Sequence, residues 1–226
     1  MNVPVDAERL REKIRRREIY RYLGMKEQDA GEVLQAAVEE QLAELLGQMR
    51  VHSYYQIFPL SMEEKVAETG GRAETDSGSK ALIRLGPMEI VSRDLGRNLR
   101  GCTSAALFGA TLGMETDRLI YRLSLATVGR AAITDACAAE ALEVVCDEVC
   151  GELSRLALGR GERIRPRFSP GFGDFTLEYQ PELVRVLELP KRIGAGLTAG
   201  GMLTPTKTVT AVVGFAPAQE TGNNDG

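Results

Sequence analysis

The run Arg167-Phe168-Ser169-Pro170-Gly171-Phe172-Gly173-Asp174 puts a fixed positive charge, a Pro-Gly pair and two aromatic rings into one short segment. Arginine carries a planar fork that grips a carboxylate or phosphate through two hydrogen bonds. Pro170 presets φ near −65° and Gly171 tolerates positive φ, the pair that a type II turn requires. Backbone groups of Ser169 to Phe172 would then be held outward, where they can read the edge of a heterocycle. Phe172 offers a flat apolar platform for a ring. The chemistry is that of a ligand with both an acid and an aryl group. The plain alternative is a surface turn beside a solvated arginine.

A second candidate is Glu140, set among Ala138, Ala139 and Ala141. Small neighbours let another element or a ligand approach the helix closely, and a carboxylate there could hold an ammonium group. The competing reading is a solvent-facing glutamate sharing a helix face with Glu143 and Asp147. Gly200-Gly201, ahead of Pro205 and an alternating strand, permits close backbone approach or is a simple loop. No phosphate-binding G-x-x-x-x-G-K-[ST] loop and no G-x-S-x-G elbow occurs. His52 is the only histidine, so triad chemistry is not supported. Cys102, Cys137, Cys146 and Cys150 read as reduced thiols. Cys146-x-x-x-Cys150 with one distant histidine lacks a metal-ligand set, so neither a metal site nor a catalytic residue is assigned.

These residues need a scaffold. A helix is expected over residues 6–22, ending at Gly24, with Arg11 to Arg17 as a solvated basic face. A second is expected over 29–49, its apolar stripe running through Val33, Leu34, Ala37, Val38, Leu42, Leu45 and Leu46. Residues 51–60 read as a strand or extended connector, 68–80 as a loop, and 81–85 with 88–91 as a hairpin around Gly86-Pro87. Ser92 is placed as the N-cap of a short helix with Asp94 in its first turn. Residues 101–113 read as a buried strand, 115–127 and 131–157 as helices, 180–187 as a helix, and 196–198 and 207–215 as strands. The fold class is α+β, a twisted antiparallel or mixed sheet flanked by helices. The organisation is an N-terminal helical arm over 1–75, a core over 76–218 and a disordered polar tail over 219–226.

The composition excludes several classes. A chain of 226 residues with 43% hydrophobic and 27% charged residues can bury a core without staples. No apolar run approaches the ~20 residues that span a bilayer. The start is charged and lacks a secretory h-region, so the cytoplasm is the expected location. A net charge of −4 without a basic tail argues against nucleic acid as the main partner.

Arg167-Phe168-Ser169-Pro170-Gly171-Phe172, with Ile193-Gly194, Leu197-Thr198, Pro205 and Thr208-Val209-Thr210 downstream, resembles the activation domain of cobalamin-dependent methionine synthase. Gly101-Cys102, Thr111-Leu112-Gly113 and Tyr22-Leu23-Gly24 are similar to short stand-alone relatives of that domain. The resemblance implies S-adenosylmethionine binding and docking on a partner's cobalamin module, where cob(II)alamin reduced by a flavodoxin-type donor is remethylated. It implies that Arg167 pairs with the methionine carboxylate, that Ser169, Pro170, Gly171 and Phe172 meet adenine and ribose, and that Glu140 approaches the amino group. Phe172 stands where that family often has tyrosine. The family's Asp-Trp ligand contact and its Asp-x-His-x-x-Gly cobalamin motif are absent, so the corrinoid would be carried by a partner rather than by this chain. Two other readings accompany this one: an adaptor that docks on a corrinoid protein without S-adenosylmethionine, and an independent methyltransferase with Asp174 as a base.

Overall fold

The computed structural model describes residues 7–65 and 80–218. The longer expected helices form, but the first is broken in two. Helix α1 spans Ala7–Lys13 and α2 spans Arg16–Tyr22. Between them Arg15 is extended, with φ −92° and ψ 107°. Its N–H donates to Glu140 at 3.2 Å instead of to a carbonyl one turn back. A tertiary bond to a buried carboxylate thus replaces a helical one. Nor is the basic run simply solvated, because Arg15 pairs with Glu140 and Arg16 with Glu39. Gly24, at φ +78°, closes α2 as expected: its N–H reaches Arg21 O at 3.0 Å and that of Met25 reaches Tyr20 O at 3.0 Å. This is the Schellman pattern, which satisfies carbonyls at a helix end.

Helix α3, Glu32–Gln48, buries Val38, Leu42 and Leu45, whereas Val33, placed on the stripe from sequence, is 87% exposed in its first turn. Strand β1 runs His52–Lys65, β2 Lys80–Leu85 and β3 Met88–Ser92. Helix α4 covers Arg93–Asn98 and β4 Ser104–Thr111. Then come α5 over Met114–Ala126, α6 over Val128–Leu158 and β5 over Glu162–Ile164. Two short helices, α7 (Gln180–Val186) and α8 (Leu189–Ile193), precede β6 (Gly196–Leu197), β7 (Leu203–Thr204) and β8 (Thr208–Pro217).

Six strands form one sheet in the order β3-β2-β1-β4-β8-β5, every neighbouring pair antiparallel. The expected α+β class, a sheet flanked by helices, is therefore the fold, and the sheet is antiparallel rather than mixed. Strand β1 pairs with β4 through residues 52–59 and with β2 through residues 60–65. Pro59, which has no N–H for a ladder, lies where the strand changes partner. This strand, sequence-wise part of the 1–75 arm, is thus hydrogen-bonded to the core on both sides. The expected loop residues 68–79 and the tail over 219–226 lie outside the described residues.

Strand alternation sorts the core into two layers. Ala106, Phe108 and Ala110 of β4 and Ala211, Val213 and Phe215 of β8 face α3, α5 and α6. Ala105, Leu107 and Val212 face the other way, toward α4, α7 and α8. Both central strands are buried on both faces, which is why they read as nearly continuous apolar runs. Gly200-Gly201 sits in the turn between β6 and β7, with nothing within 4 Å of a Cβ built on Gly201. No close approach occurs there, and the simple-loop reading describes it. Strands β5 and β7 and helix α8 are too short to carry a periodic signal.

Candidate functional site

The site is built on α6. Its 31 residues bury Cys137, Ala141, Val145, Val149 and Leu153 against the sheet and helices. Glu140, Glu143 and Asp147 stand three and seven residues apart, and so share one face of the helix.

Glu140 is 1% exposed, which excludes the solvent-facing reading. Its carboxylate accepts from Arg15 Nε at 2.9 Å, from Arg15 Nη2 at 3.4 Å and from the Arg15 N–H. The bond to Glu140 is the main reason the Arg15 guanidinium is held above its ordinary pKa, with the Glu140 charge adding to it. The alanines beside Glu140 do admit a close neighbour, and that neighbour is the α1–α2 corner. A buried carboxylate needs such a partner, because burying an uncompensated charge costs several kcal/mol.

Arg167 reaches the same helix face from the segment after β5. After β5 the chain continues beside β8: Arg165 N donates to Gly214 O at 2.8 Å, and Phe168 and Val212 exchange bonds of 2.9 and 2.8 Å. Side chains alternate along such a segment. Phe168 packs with the α7–α8 layer, and Arg167 therefore turns toward α6. There Nη1 donates to Asp147 Oδ1 at 3.1 Å, and Nη2 donates to Glu143. The arginine side chain is 27% exposed, against 38% for Glu143 and 58% for Asp147. Burial works against its charge, and the Cys146 thiol, Glu143, Asp147 and Cys150 together more than offset this, raising its pKa. A hollow of about 400 Å³ opens beside it, lined by Asp147, Cys150, Ile164, Arg165, Pro166 and Arg167.

The turn follows directly. Phe172 N donates to Ser169 O at 3.3 Å across Pro170 and Gly171, and Gly171 takes φ +99°. Gly171 N donates to Phe175 O at 2.7 Å. The amides of Gly171 and Phe172 are thus used inside the loop, a correction to the expectation that they are held outward. Pro170 is buried beneath, while Phe172 is 64% exposed, its ring 6.3 Å from that of Phe168 at a tilt of 59°. The exposed ring is the feature of this turn that remains available as a platform.

Asp174 has a different task. Its carboxylate accepts from Ser92 Oγ at 2.6 Å, Arg93 N at 2.8 Å and Asp94 N at 3.0 Å. Ser92 meanwhile caps α4 through Leu95 N at 3.0 Å, as its sequence position predicts. Burial pushes the Asp174 pKa up, but the bonds from Ser92, Arg93 and Asp94 outweigh it and hold the carboxyl below its ordinary value. A carboxylate so held is a weak base, which removes the support for an Asp174-based methyltransferase.

Arg167 therefore meets the helix face that carries Glu140, but the two stand in separate ion pairs. The sequence pattern puts Arg15 in a basic run expected to be solvated, and Glu143 and Asp147 on a solvated helix face. Their shared face with Glu140 was the available signal. Among the described residues no group of three His, Cys, Asp or Glu side chains could hold a metal ion, and no helix is long and apolar enough to cross a membrane.

No family profile and no curated protein matches this chain. Its structure is similar to that of the MetH reactivation domain in a crystal structure bound to AdoHcy, with a TM-score of 0.64 and 15% sequence identity. The match covers 96% of this chain and 78% of that one. At that identity the likeness establishes a shared fold, the antiparallel sheet with its flanking helices.

Proposed function

We propose that this chain is an S-adenosylmethionine-binding activation component of a cobalamin-dependent methionine synthase. It would present the methyl donor to a corrinoid carried by a partner module, after reduction by a flavodoxin-type donor. The corrinoid supplies the methyl-accepting chemistry, and this chain's residues bind and orient the donor. The observation that carries the reading is Arg167: on the reactivation-domain fold, its fork lies beside a hollow and against two carboxylates, one step before the Pro-Gly-Phe turn.

A zwitterionic amino-acid end suits that arrangement. Arg167 would take the methionine carboxylate, displacing Asp147, which is the more exposed of its two partners. Glu143 would take the ammonium group, because Glu140, expected in that role, is bound to Arg15. Ser169, Pro170 and Gly171 would shape the wall on the nucleoside side, with Phe172 as the platform for adenine.

Calorimetry with S-adenosylmethionine tests this. The native chain should bind, and Arg167→Ala should weaken binding by roughly tenfold to a hundredfold, the about 1.5–3 kcal/mol of a charged hydrogen-bonded contact. No heat with the native chain, or equal binding by the variant, would refute the reading.

One observation favours a second reading. The Arg167 fork is already satisfied by Glu143 and Asp147, as it would be in an adaptor that covers a corrinoid protein without a nucleoside. Capture of a cobalamin module that is indifferent to added S-adenosylmethionine would select the adaptor.

A further inference from the structure

We infer that Arg15 is a positioning residue for the amino-acid end of the ligand, acting through Glu140; this rests on the S-adenosylmethionine reading above. Three carboxylates on one helix face repel one another, and like charges one turn apart destabilise a helix. Glu140 is the buried member of the three and cannot relieve that repulsion through solvent. The structure gives it Arg15, whose side-chain hydrogen bonds go to Glu140 while its charge also acts on Asp147 and Glu18. The break between α1 and α2 leaves the Arg15 N–H without a helical acceptor and aims it at Glu140, and the guanidinium adds bonds of 2.9 and 3.4 Å.

The consequence lies one turn further along. With Glu140 fully engaged, Arg167 pairs with Glu143 and Asp147 only. Remove the Arg15 charge and Glu140 is left without its partner one turn from Glu143, its repulsion of that neighbouring carboxylate no longer offset. The corner is otherwise well anchored: Arg9 pairs with Glu148 at 3.2 Å, Lys13 also pairs with Glu148, and Ile14 and Ile19 are buried. A change at Arg15 therefore alters charge on α6 more than it alters the attachment of the arm.

The test compares two ligands on the full chain by calorimetry: S-adenosylmethionine, and 5′-methylthioadenosine, which has the same nucleoside and no amino-acid end. Arg15→Ala should weaken S-adenosylmethionine by about tenfold, the effect of misplacing one charged contact. It should leave 5′-methylthioadenosine within about twofold, since that ligand lacks the charged contact. Adding Glu140→Gln removes the stranded charge, so the double variant should recover most of the lost affinity. A merely structural arginine would weaken both ligands together, and Glu140→Gln would not restore them. Either result overturns the inference, as does an unchanged S-adenosylmethionine affinity in Arg15→Ala. Should Arg15→Ala not fold, Arg15→Met, which keeps an unbranched apolar stem and removes the charge, is compared on the same two ligands with the same expected and overturning results. If the native chain binds 5′-methylthioadenosine but not S-adenosylmethionine, or binds neither, the functional reading itself fails and this inference falls with it.

Discussion

The guanidinium of Arg167 donates to Asp147 at 3.1 Å, closing across 20 residues an ion pair that a ligand carboxylate would have to open. Such a partly exposed pair is worth about 0–1 kcal/mol. Asp147→Asn should therefore tighten S-adenosylmethionine binding, by up to about fivefold on that figure. Glu143→Gln, which removes the proposed ammonium partner, should weaken it by about tenfold. Titration calorimetry of both variants checks the assignment. A loss of affinity in Asp147→Asn would mean that Asp147, not Glu143, is the ammonium partner.

Asp174 ties the turn loop to the start of α4 through three accepted hydrogen bonds. Asp174→Asn should cost about 1–2 kcal/mol at neutral pH, the scale of a lost helix cap. Because its folded pKa is depressed, the carboxylate's contribution is complete above the unfolded pKa of ~4 and is lost as the pH falls through the folded value. Thermal melts from pH 7 to pH 3 should show the two proteins converging in acid. A gap that stays constant would show that the charge plays no part.

Gly214 lets β8 pass under the α4–β4 connection. A Cβ there would stand 2.6 Å from Cys102 Sγ and 2.7 Å from Leu99 Cδ2. Gly214→Ala should destabilise the fold by about 1–3 kcal/mol through overpacking. Cys102→Ala in that background should return part of the loss. Urea unfolding of the single and double variants measures both, and no recovery would place the strain at Leu99 instead.

Burial raises the pKa of all four thiols, that of Cys137 to about 12. Since the thiolate is the reactive form, labelling by an aromatic disulfide reagent should be slow at pH 7 and still accelerating at pH 9. Cys102 and Cys150 are half-buried and should react before Cys137 and Cys146. Cys150 lines the hollow beside Arg167, so S-adenosylmethionine should protect it and not Cys102. Equal protection of both would indicate global tightening rather than ligand at the hollow.

Local physics made much of this legible before any coordinates. The Ser92 cap, the Gly24 terminus, the Gly86-Pro87 hairpin and the Pro170-Gly171 turn each depend on a few neighbouring residues. The buried strand expected over 101–113 and the long helix expected over 131–157, found at Ser104–Thr111 and Val128–Leu158, were equally plain, because their apolar patterns are long. Short elements such as β5 and α8 carry too few residues for a period to emerge. The α1–α2 break was illegible for another reason: residues 6–22 are good helix formers, and what interrupts them is a carboxylate 125 positions away.

The amino-acid sequence by itself determined the class of the fold, the turn at Ser169 to Phe172 and the presence of an arginine fork beside it, because backbone preference and side-chain chemistry are local. Which acids meet which bases was decided only in three dimensions. Glu140, Glu143 and Asp147 look alike along the helix, and only packing shows that one is buried against Arg15 while the other two face Arg167. Charge pairing depends on distance through space and on access to water, and neither is written in the order of the residues.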